Sequence, residues 1–572
     1  MQPVLILGLD GGTWDLIRPW AAQGKLPTLA RLMAGGVQGP MRSTMPPWTY
    51  LAWNSFMTGK NPGQHGVFDF FRPRPGTYDL EFVNGGTRRG STFWQLLSEA
   101  GRRVVSISLP CTFPPERVHG VMISGFDFPG EGPGSAVDAR GMYPPELYRE
   151  LAREVGRHPI DPPILKEIER GRLDIALERI LETIRQKAAT ARYLLQHRPW
   201  DCFMMVFGET DGSAHQFWKY GDPNSPLYTD QPPGLRDSIL RIYQEVDRLF
   251  GEMLALAPTD AVVLVISDHG FGGVSNCVLF PNCWLRDRGF LRFRGPSAHR
   301  LSRLREMVKR WGVARLPGWL QRFLYRSAAG LLGRFEARAR YGMIDWAGTE
   351  AYFDENPYFP ALRINLKGRQ PGGIVEPGQH YEEVRDRLIR ELEAWRNPHS
   401  GAPIVARAYR REELYSGPCL EEAHDIIPQW ALHKGYNYAF KLSSKSRDLV
   451  WMVELDPLRP EHRELWPSKS GTHREEAVFL AQGPMIPPGT TVEGVRIIDL
   501  APTILHLLEV PVPDDMDGRV LEEVFTESFR QEHPVRRTPG RSSFGGADEN
   551  SAYSSEDEAV IAARLKSLGY VE

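Results

Sequence analysis

Thr49 follows a Pro46-Pro47 break, inside the stretch Thr44-Met-Pro-Pro-Trp-Thr-Tyr-Leu-Ala-Trp-Asn-Ser-Phe-Met-Thr-Gly59. Prolines do not lie inside a helix, so a helix can begin only near Trp48, and Leu51, Ala52, Ser55 and Phe56 then recur at helical spacing. That places the Thr49 hydroxyl in a first turn, where backbone amides and the helix dipole favour an anion such as a phosphoryl group. A hydroxyl there also serves as an ordinary cap, and alone it decides nothing. Ser267-Asp268-His269-Gly270 is harder to read as packing. Two adjacent metal-ligand types end the most hydrophobic run of the chain, Ala261 to Ile266, and glycines follow that let the backbone bend. Asp211 and His215 are four apart, so one helical turn or a comparable loop aims both at one ion. Asp10 closes the apolar run Val4 to Leu9, at a strand's carboxyl end, although an aspartate there also caps helices. His473, in Gly471-Thr-His-Arg474, is unremarkable by itself.

The elements that must carry these residues alternate between strand and helix. Val4–Leu9, Arg103–Leu109, Val121–Ser124, Cys202–Phe207 and Ala261–Ile266 read as buried strands; Thr92–Ala100, 144–198 and Leu235–Leu256 carry helical periodicity. This predicts an α/β protein with a mostly parallel central sheet flanked by helices. The rhythm stops over 275–465, which holds a basic helical stretch (about 299–340), a strand near Ala361–Leu366, the loop Gly368–Gly378 and a helix at Tyr381–Arg396. We read it as a cap inserted over the strand ends. The pattern resumes with Ala477–Ala481 and the helix Leu500–Leu508, giving a discontinuous core of 1–274 and 466–527. Residues 528–553, rich in Ser, Gly, Arg and Glu, read as a linker, followed by a docking helix with Ser555 and Glu558 as capping box, Ile561, Leu565 and Leu568 as its face, and Gly569 as its stop.

Composition narrows the class. With 572 residues and a net charge of −2, the chain has no overall drive toward nucleic acid, and no specific nucleic-acid binding is expected. The opening residues lack a charged n-region, so neither a signal peptide nor a membrane span is expected and a cytoplasmic location follows by default. Five scattered cysteines suggest neither a disulfide framework nor a thiolate zinc site. Charge is uneven, however: between Arg286 and Arg340 there are fifteen Lys or Arg against three acids. Arg303, Lys309, Arg310, Arg315 and Arg322 alternate there with Trp311, Leu316, Trp319 and Phe323. Three readings stay open for this stretch: an anionic membrane surface, steering of an anionic substrate, or a helical face paired with acids elsewhere on the chain.

Taken together, Asp10, Thr49, Asp211, His215, Asp268, His269 and His473 resemble the metal and nucleophile set of the alkaline phosphatase superfamily, in its type I phosphodiesterase/nucleotide pyrophosphatase branch. The resemblance runs from Leu7-Gly-Leu-Asp-Gly11 through Thr58-Gly59 and His65-Gly66 to Asp499-Leu-Ala-Pro-Thr503. It implies one metal on Asp211, His215 and His473, and a second on Asp10, Asp268, His269 and the Thr49 oxygen. It also implies a phospho-threonine intermediate, a phosphodiester or pyrophosphate substrate, and two divalent ions, zinc before manganese. Thr44 is a rival nucleophile; Thr49 is preferred because it lies nine residues before the Thr58-Gly59 turn, as the resemblance implies. Two departures matter. The asparagine that the family usually carries after its His-Gly is missing from Val67-Phe-Asp-Phe-Phe71, with Asn84 either a substitute or a turn former. Nor is there a Cys/Ser-x-Pro-x-Arg pattern for a sulfatase. A phosphomonoesterase or phosphomutase of the same superfamily, and a non-catalytic binding or scaffold protein, are the alternatives.

Overall fold

The computed structural model describes residues 2–132, 134–295, 332–446, 448–467, 469–540 and 553–568. Its centre is a ten-stranded sheet. From one edge the strands run Thr490–Thr491, Val37–Arg42, Glu476–Gln482, Val262–Ile266, Val4–Leu9, Cys202–Phe207, Val104–Leu109, Gly120–Ser124 and Met142–Tyr143, with Val495–Arg496 also paired to Val37–Arg42. The five middle strands from Val262–Ile266 to Gly120–Ser124 are parallel, whereas Glu476–Gln482 and Met142–Tyr143 run against their neighbours. The sheet is mostly parallel, as the runs of apolar residues predict.

Burial explains why those runs are continuous. Along Val4–Leu9 every residue is buried, with Leu5, Leu7 and Leu9 entering the apolar layer on one face and Val4 and Ile6 the layer on the other. Register then sets the site: Leu9 pairs with Phe207 and Gly8 with Ile266, so three strands end level with one another. Asp10, the Gly208–Asp211 turn and Asp268 therefore emerge along a single carboxyl edge.

The helix predicted to start near Trp48 spans Thr49–Thr58, and all ten of its residues are buried. Trp53, Phe56 and Met57 pack on the sheet, while Tyr50 and Leu51 turn toward the inserted region, so the helix is buried on every side, with Asn54, Ser55 and Thr58 satisfied by hydrogen bonds to the Tyr50 carbonyl, His65 and the Asn54 carbonyl. Gly8 makes that approach close: a Cβ there would lie 2.7 Å from Val206 Cγ2 and 3.2 Å from Trp53.

Within 275–465 the described residues form two further sheets. One joins Ala351–Asp354, Ala361–Ile364, Ile426–Trp430 and Val405–Arg410, beside the helix Gln379–Glu393. The other is built on Gly270–Leu279, which passes through position 275 and pairs with Gly471–Arg474, Tyr436–Phe440 and Met452–Glu454. The expected basic helical stretch lies largely outside the described residues. Its end does not: Leu332–Tyr341 is helical, and Arg340 is buried, paired with Asp354 at 2.7 Å and Glu336 at 2.8 Å. That arginine is bound to acids of the same chain. Among the described residues no helix is long and apolar enough to cross a membrane.

The C-terminal region departs from expectation in two places. Residues 528–540 are structured rather than linker: Glu527–Glu532 is a helix, Arg537–Thr538 pairs with Val512–Pro513, and Phe529 and Val535 pack on the core. Two apolar side chains in a polar stretch suffice to anchor it; 541–552 lies outside the described residues. The terminal helix spans Ser555–Leu568, with Ile561 and Leu565 buried, but its cap is Ser554 exchanging hydrogen bonds with Asp557, one residue before the expected box. Arg564, fully buried, holds the helix down through Asp161 at 2.8 Å and the carbonyls of Phe126, Phe128, Pro129 and Gly132.

Candidate active site at the carboxyl edge of the sheet

All seven residues singled out in the sequence meet at this edge, and all are buried. Asp10 follows the first strand, Asp268 and His269 follow Val262–Ile266, Asp211 and His215 lie on the helix Glu209–Gly221, and His473 lies on the strand Gly471–Arg474. They form two groups, Asp211 with His215 and His473, and Asp10 with Asp268 and His269; within each, the ligand atoms lie within 4.8 Å of one another. The groups abut through the His269 and His473 rings, stacked with centroids 3.7 Å apart. The Thr49 hydroxyl is 3.2 Å from His269 Nε2. No side chain caps the helix that Thr49 begins, which leaves its first turn facing the same point.

Each histidine is aimed by the backbone. His215 Nδ1–H donates to the Gly471 carbonyl at 2.7 Å, His269 Nδ1–H to Gly270 at 3.0 Å, and His473 Nδ1–H to Pro47 at 3.1 Å. A proton held at Nδ1 makes Nε2 the ligand atom, and all three Nε2 atoms point inward. His215 Nε2 and His473 Nε2 stand 3.1 Å apart, each close to Asp211 Oδ1 at 3.4 and 3.3 Å. Bringing two such lone pairs together is unfavourable unless a cation lies beside them. The carboxylates are held likewise: Gly11 N–H donates to Asp268 Oδ1 at 3.1 Å and Trp53 Nε1–H to Asp10 Oδ2 at 3.3 Å.

The other carboxylate oxygens test whether metal fits. Asp10 Oδ1 and Asp268 Oδ2 are buried without a hydrogen-bond partner, 3.6 and 3.2 Å from His269 Nε2. Burial, with the charges of Asp268 and Asp211 nearby, pushes the Asp10 carboxyl well above the usual range, and burial does the same to Asp268. Burial also lowers His215 to about 3 and holds His269 well below its ordinary value. The protein alone thus supplies uncompensated carboxylates and neutral imidazoles, a donor set suited to divalent cations.

Several nearby residues follow no spacing pattern in the sequence. Trp48, oriented by its Nε1–H bond to Asp69 at 2.8 Å, packs at a centroid distance of 5.3 Å from Tyr358, which stacks on His473 at 5.2 Å; Phe359 lies 6.2 Å from the same ring. Tyr358 and Phe359 come from the inserted region, so it roofs the site. The proline-bracketed aromatic pair Pro357-Tyr-Phe-Pro360 was the available clue. Thr44 and Asn84 take local roles: Thr44 Oγ1 donates to the Pro46 carbonyl at 2.8 Å, and Asn84 Oδ1 accepts from Gly86 N–H at 2.9 Å in a turn. His65 is structural, buried between Ser55 Oγ at 3.0 Å and the Val67 amide at 3.2 Å.

Fold and site define an α/β enzyme whose strand-end centre gathers two carboxylate–imidazole groups beside a hydroxyl at a helix start. The chain belongs to the type I phosphodiesterase/nucleotide pyrophosphatase family, whose model matches residues 4–452, and it is accordingly a phosphoester hydrolase of a metal-dependent family. Six of the seven residues fall within that match and His473 lies beyond it. Human ectonucleotide pyrophosphatase/phosphodiesterase 5 is 12% identical, with a TM-score of 0.48 over 93% of this chain and 99% of that one. Phosphonoacetate hydrolase from Sinorhizobium meliloti, in complex with phosphonoformate, is 14% identical with a TM-score of 0.48 over 87% and 94%. At such identities neither likeness fixes a substrate. Human arylsulfatase K is 27% identical over 89 residues, 15% of this chain, and the chain spans only 17% of that protein.

Proposed function

We propose that this protein hydrolyses phosphodiesters or pyrophosphates with two divalent ions, zinc before manganese, through a phosphorylated Thr49. The observation that carries the reading is the convergence of both Asp/His groups on one buried point that the Thr49 hydroxyl also faces. Asp211, His215 and His473 would hold one ion; Asp10, Asp268, His269 and the Thr49 oxygen would hold the other. Divalent ions held there would lower the pKa of the Thr49 hydroxyl and neutralise charge that develops on phosphoryl oxygens.

The chain's own groups supply the rest. The uncapped start of the Thr49–Thr58 helix receives the phosphoryl oxygens on its amides. The Thr49 oxygen bonds to phosphorus as the bond to the leaving oxygen breaks in line, and the threonine proton passes through solvent to the leaving oxygen. Water then attacks the phospho-threonine, releasing phosphate or a monoester and restoring the hydroxyl. Trp48, Tyr358 and Phe359 narrow the approach and keep bulk water from the imidazoles. In this reading 1–274 and 466–527 are the catalytic core and 275–465 sets which ester enters. Five free, buried cysteines support the cytoplasm as its location.

Turnover of bis(4-nitrophenyl) phosphate by zinc-loaded protein, measured beside 4-nitrophenyl phosphate, tests this. We expect diester turnover to exceed monoester turnover, to vanish with chelator and to return with zinc. Metal-loaded protein inert toward both esters would refute the proposal, and monoester preference would move it to a phosphatase.

A further inference from the structure

The loop 456–466 crosses from Met452–Glu454 to Gly471–Arg474, two strands that both pair with Gly270–Leu279. It winds in successive turns: Arg459 N–H donates to the Asp456 carbonyl at 3.1 Å, His462 N–H to the Arg459 carbonyl at 3.0 Å, and Leu465 N–H to the His462 carbonyl at 2.9 Å. These turns enclose a cavity of about 310 Å³, lined by Asp456, Pro457, Arg459, His462, Arg463 and Trp466. It shares no residue with the candidate active site, and its volume is that of a small-ligand pocket. The apolar wall is fixed, because Leu465 and Trp466 pack against the buried cluster that holds Leu455, Val278 and Phe280.

The lining is one-sided in charge. Asp456, the acid among these residues, has both oxygens engaged: Oδ1 accepts from Leu458 N–H at 2.9 Å, and Oδ2 lies 3.7 Å from Arg459 Nε. Asp456 N–H also donates to His462 Nδ1 at 2.9 Å, which leaves the imidazole proton on Nε2 as a donor. Arg463 has no ion-pair partner among the described residues. Glu461 and Glu464 belong to the same loop but do not line the cavity. Two guanidinium groups, a histidine donor and an indole therefore border one hollow of ligand size. Guanidinium groups take phosphate oxygens through paired, charge-assisted hydrogen bonds, and a tryptophan ring stacks on a flat base. We propose that the loop 456–466 forms a second binding site, for a nucleoside monophosphate, with Arg459, His462 and Arg463 on the phosphate and Trp466 against the base. The site draws on neither Asp/His group, so it stands apart from the hydrolase reading.

Photolabelling of the full-length, zinc-loaded protein with 8-azido-AMP, followed by peptide mapping, tests the site directly. We expect label on the peptide containing Trp466, protection by AMP, and much weaker protection by adenosine or by ribose 5-phosphate. Arg459 and Arg463 are exposed, so the double variant Arg459→Ala/Arg463→Ala leaves the core untouched. It should lose about tenfold or more of that labelling, while its zinc content and its kcat/KM on bis(4-nitrophenyl) phosphate stay at the wild-type level. Trp466→Leu, which keeps an apolar group against the cluster, should be protected no better by AMP than by ribose 5-phosphate. Label confined to peptides outside 456–466, or labelling of the Trp466 peptide that persists undiminished in the double variant, would overturn the proposal. Equal protection of the wild type by AMP and ribose 5-phosphate would remove the base from it and so overturn the nucleotide assignment.

Discussion

Thr49 and Thr44 sit on one proline-broken segment, yet the fold gives them different surroundings. Thr44 spends its hydroxyl on the Pro46 carbonyl within its own loop, whereas the Thr49 hydroxyl faces His269 in the buried centre. Residue types and order made the site legible: an Asp and His directly after an apolar strand, and an Asp and His one helical turn apart. Tyr358 was not legible, because it reaches the centre from the inserted region, and its sequence neighbours carry no spacing rule. Histidines away from the centre also have consequences. His65 and His158 are fully buried, His158 between Ser108 Oγ at 2.8 Å and Thr190 Oγ1 at 3.0 Å, and burial lowers both to about 3. Below pH 6.5 the unfolded chain takes up protons that the folded chain refuses until about pH 3, so each histidine withdraws stability as pH falls through that window, by about 2 kcal/mol at pH 5. Asp69 and Asp127, raised by burial to about 6, act oppositely and lose stability as pH rises toward that value. Urea unfolding of His158→Asn at pH 6.5 and pH 5 checks the sign: the acid-side loss should shrink by about 2 kcal/mol relative to wild type, and an unchanged pH slope would show that His158 does not titrate this way.

Three elements place the chemistry: the level ends of the parallel strands, the fully buried helix Thr49–Thr58, and the strand Gly471–Arg474 that brings His473 across to Asp211. The first two follow from apolar periodicity and the proline break. The third does not, since Gly471–Arg474 pairs with Gly270–Leu279 across some two hundred intervening residues, and such pairing leaves no local trace. The linker expected over 528–540 failed for a related reason: composition averages hide the few side chains, here Phe529 and Val535, that find a surface. Gly8 is where strand and helix come closest. Gly8→Val would push Val206 and Trp53 apart and tilt the helix that carries Thr49. We expect about 1–3 kcal/mol of lost stability in urea melts, together with a fall in kcat larger than the fall in substrate affinity. Full activity in that variant would mean that the helix is not held by this contact.

Over the whole molecule, the parallel core and its carboxyl edge supply the reactive groups, and the inserted region supplies the roof. The loop bearing Tyr358 and Phe359 starts at Asp354, which is buried and clamped by Arg340, Tyr341 and His424, so the roof has a fixed footing. The terminal helix, pinned by Arg564, packs behind Phe126, which in turn stacks on Tyr50 next to Thr49. Distant segments thus converge on one helix start. Acid-quenched intact-mass and peptide analysis of zinc-loaded protein during turnover of bis(4-nitrophenyl) phosphate tests the central claim most directly. The account predicts a transient mass increase of one 4-nitrophenyl phosphoryl group on the peptide containing Thr49, retained in Thr44→Ala and absent, together with turnover, in Thr49→Ala. Undiminished turnover by Thr49→Ala, or a phosphoryl group carried on Thr44 instead, would contradict it.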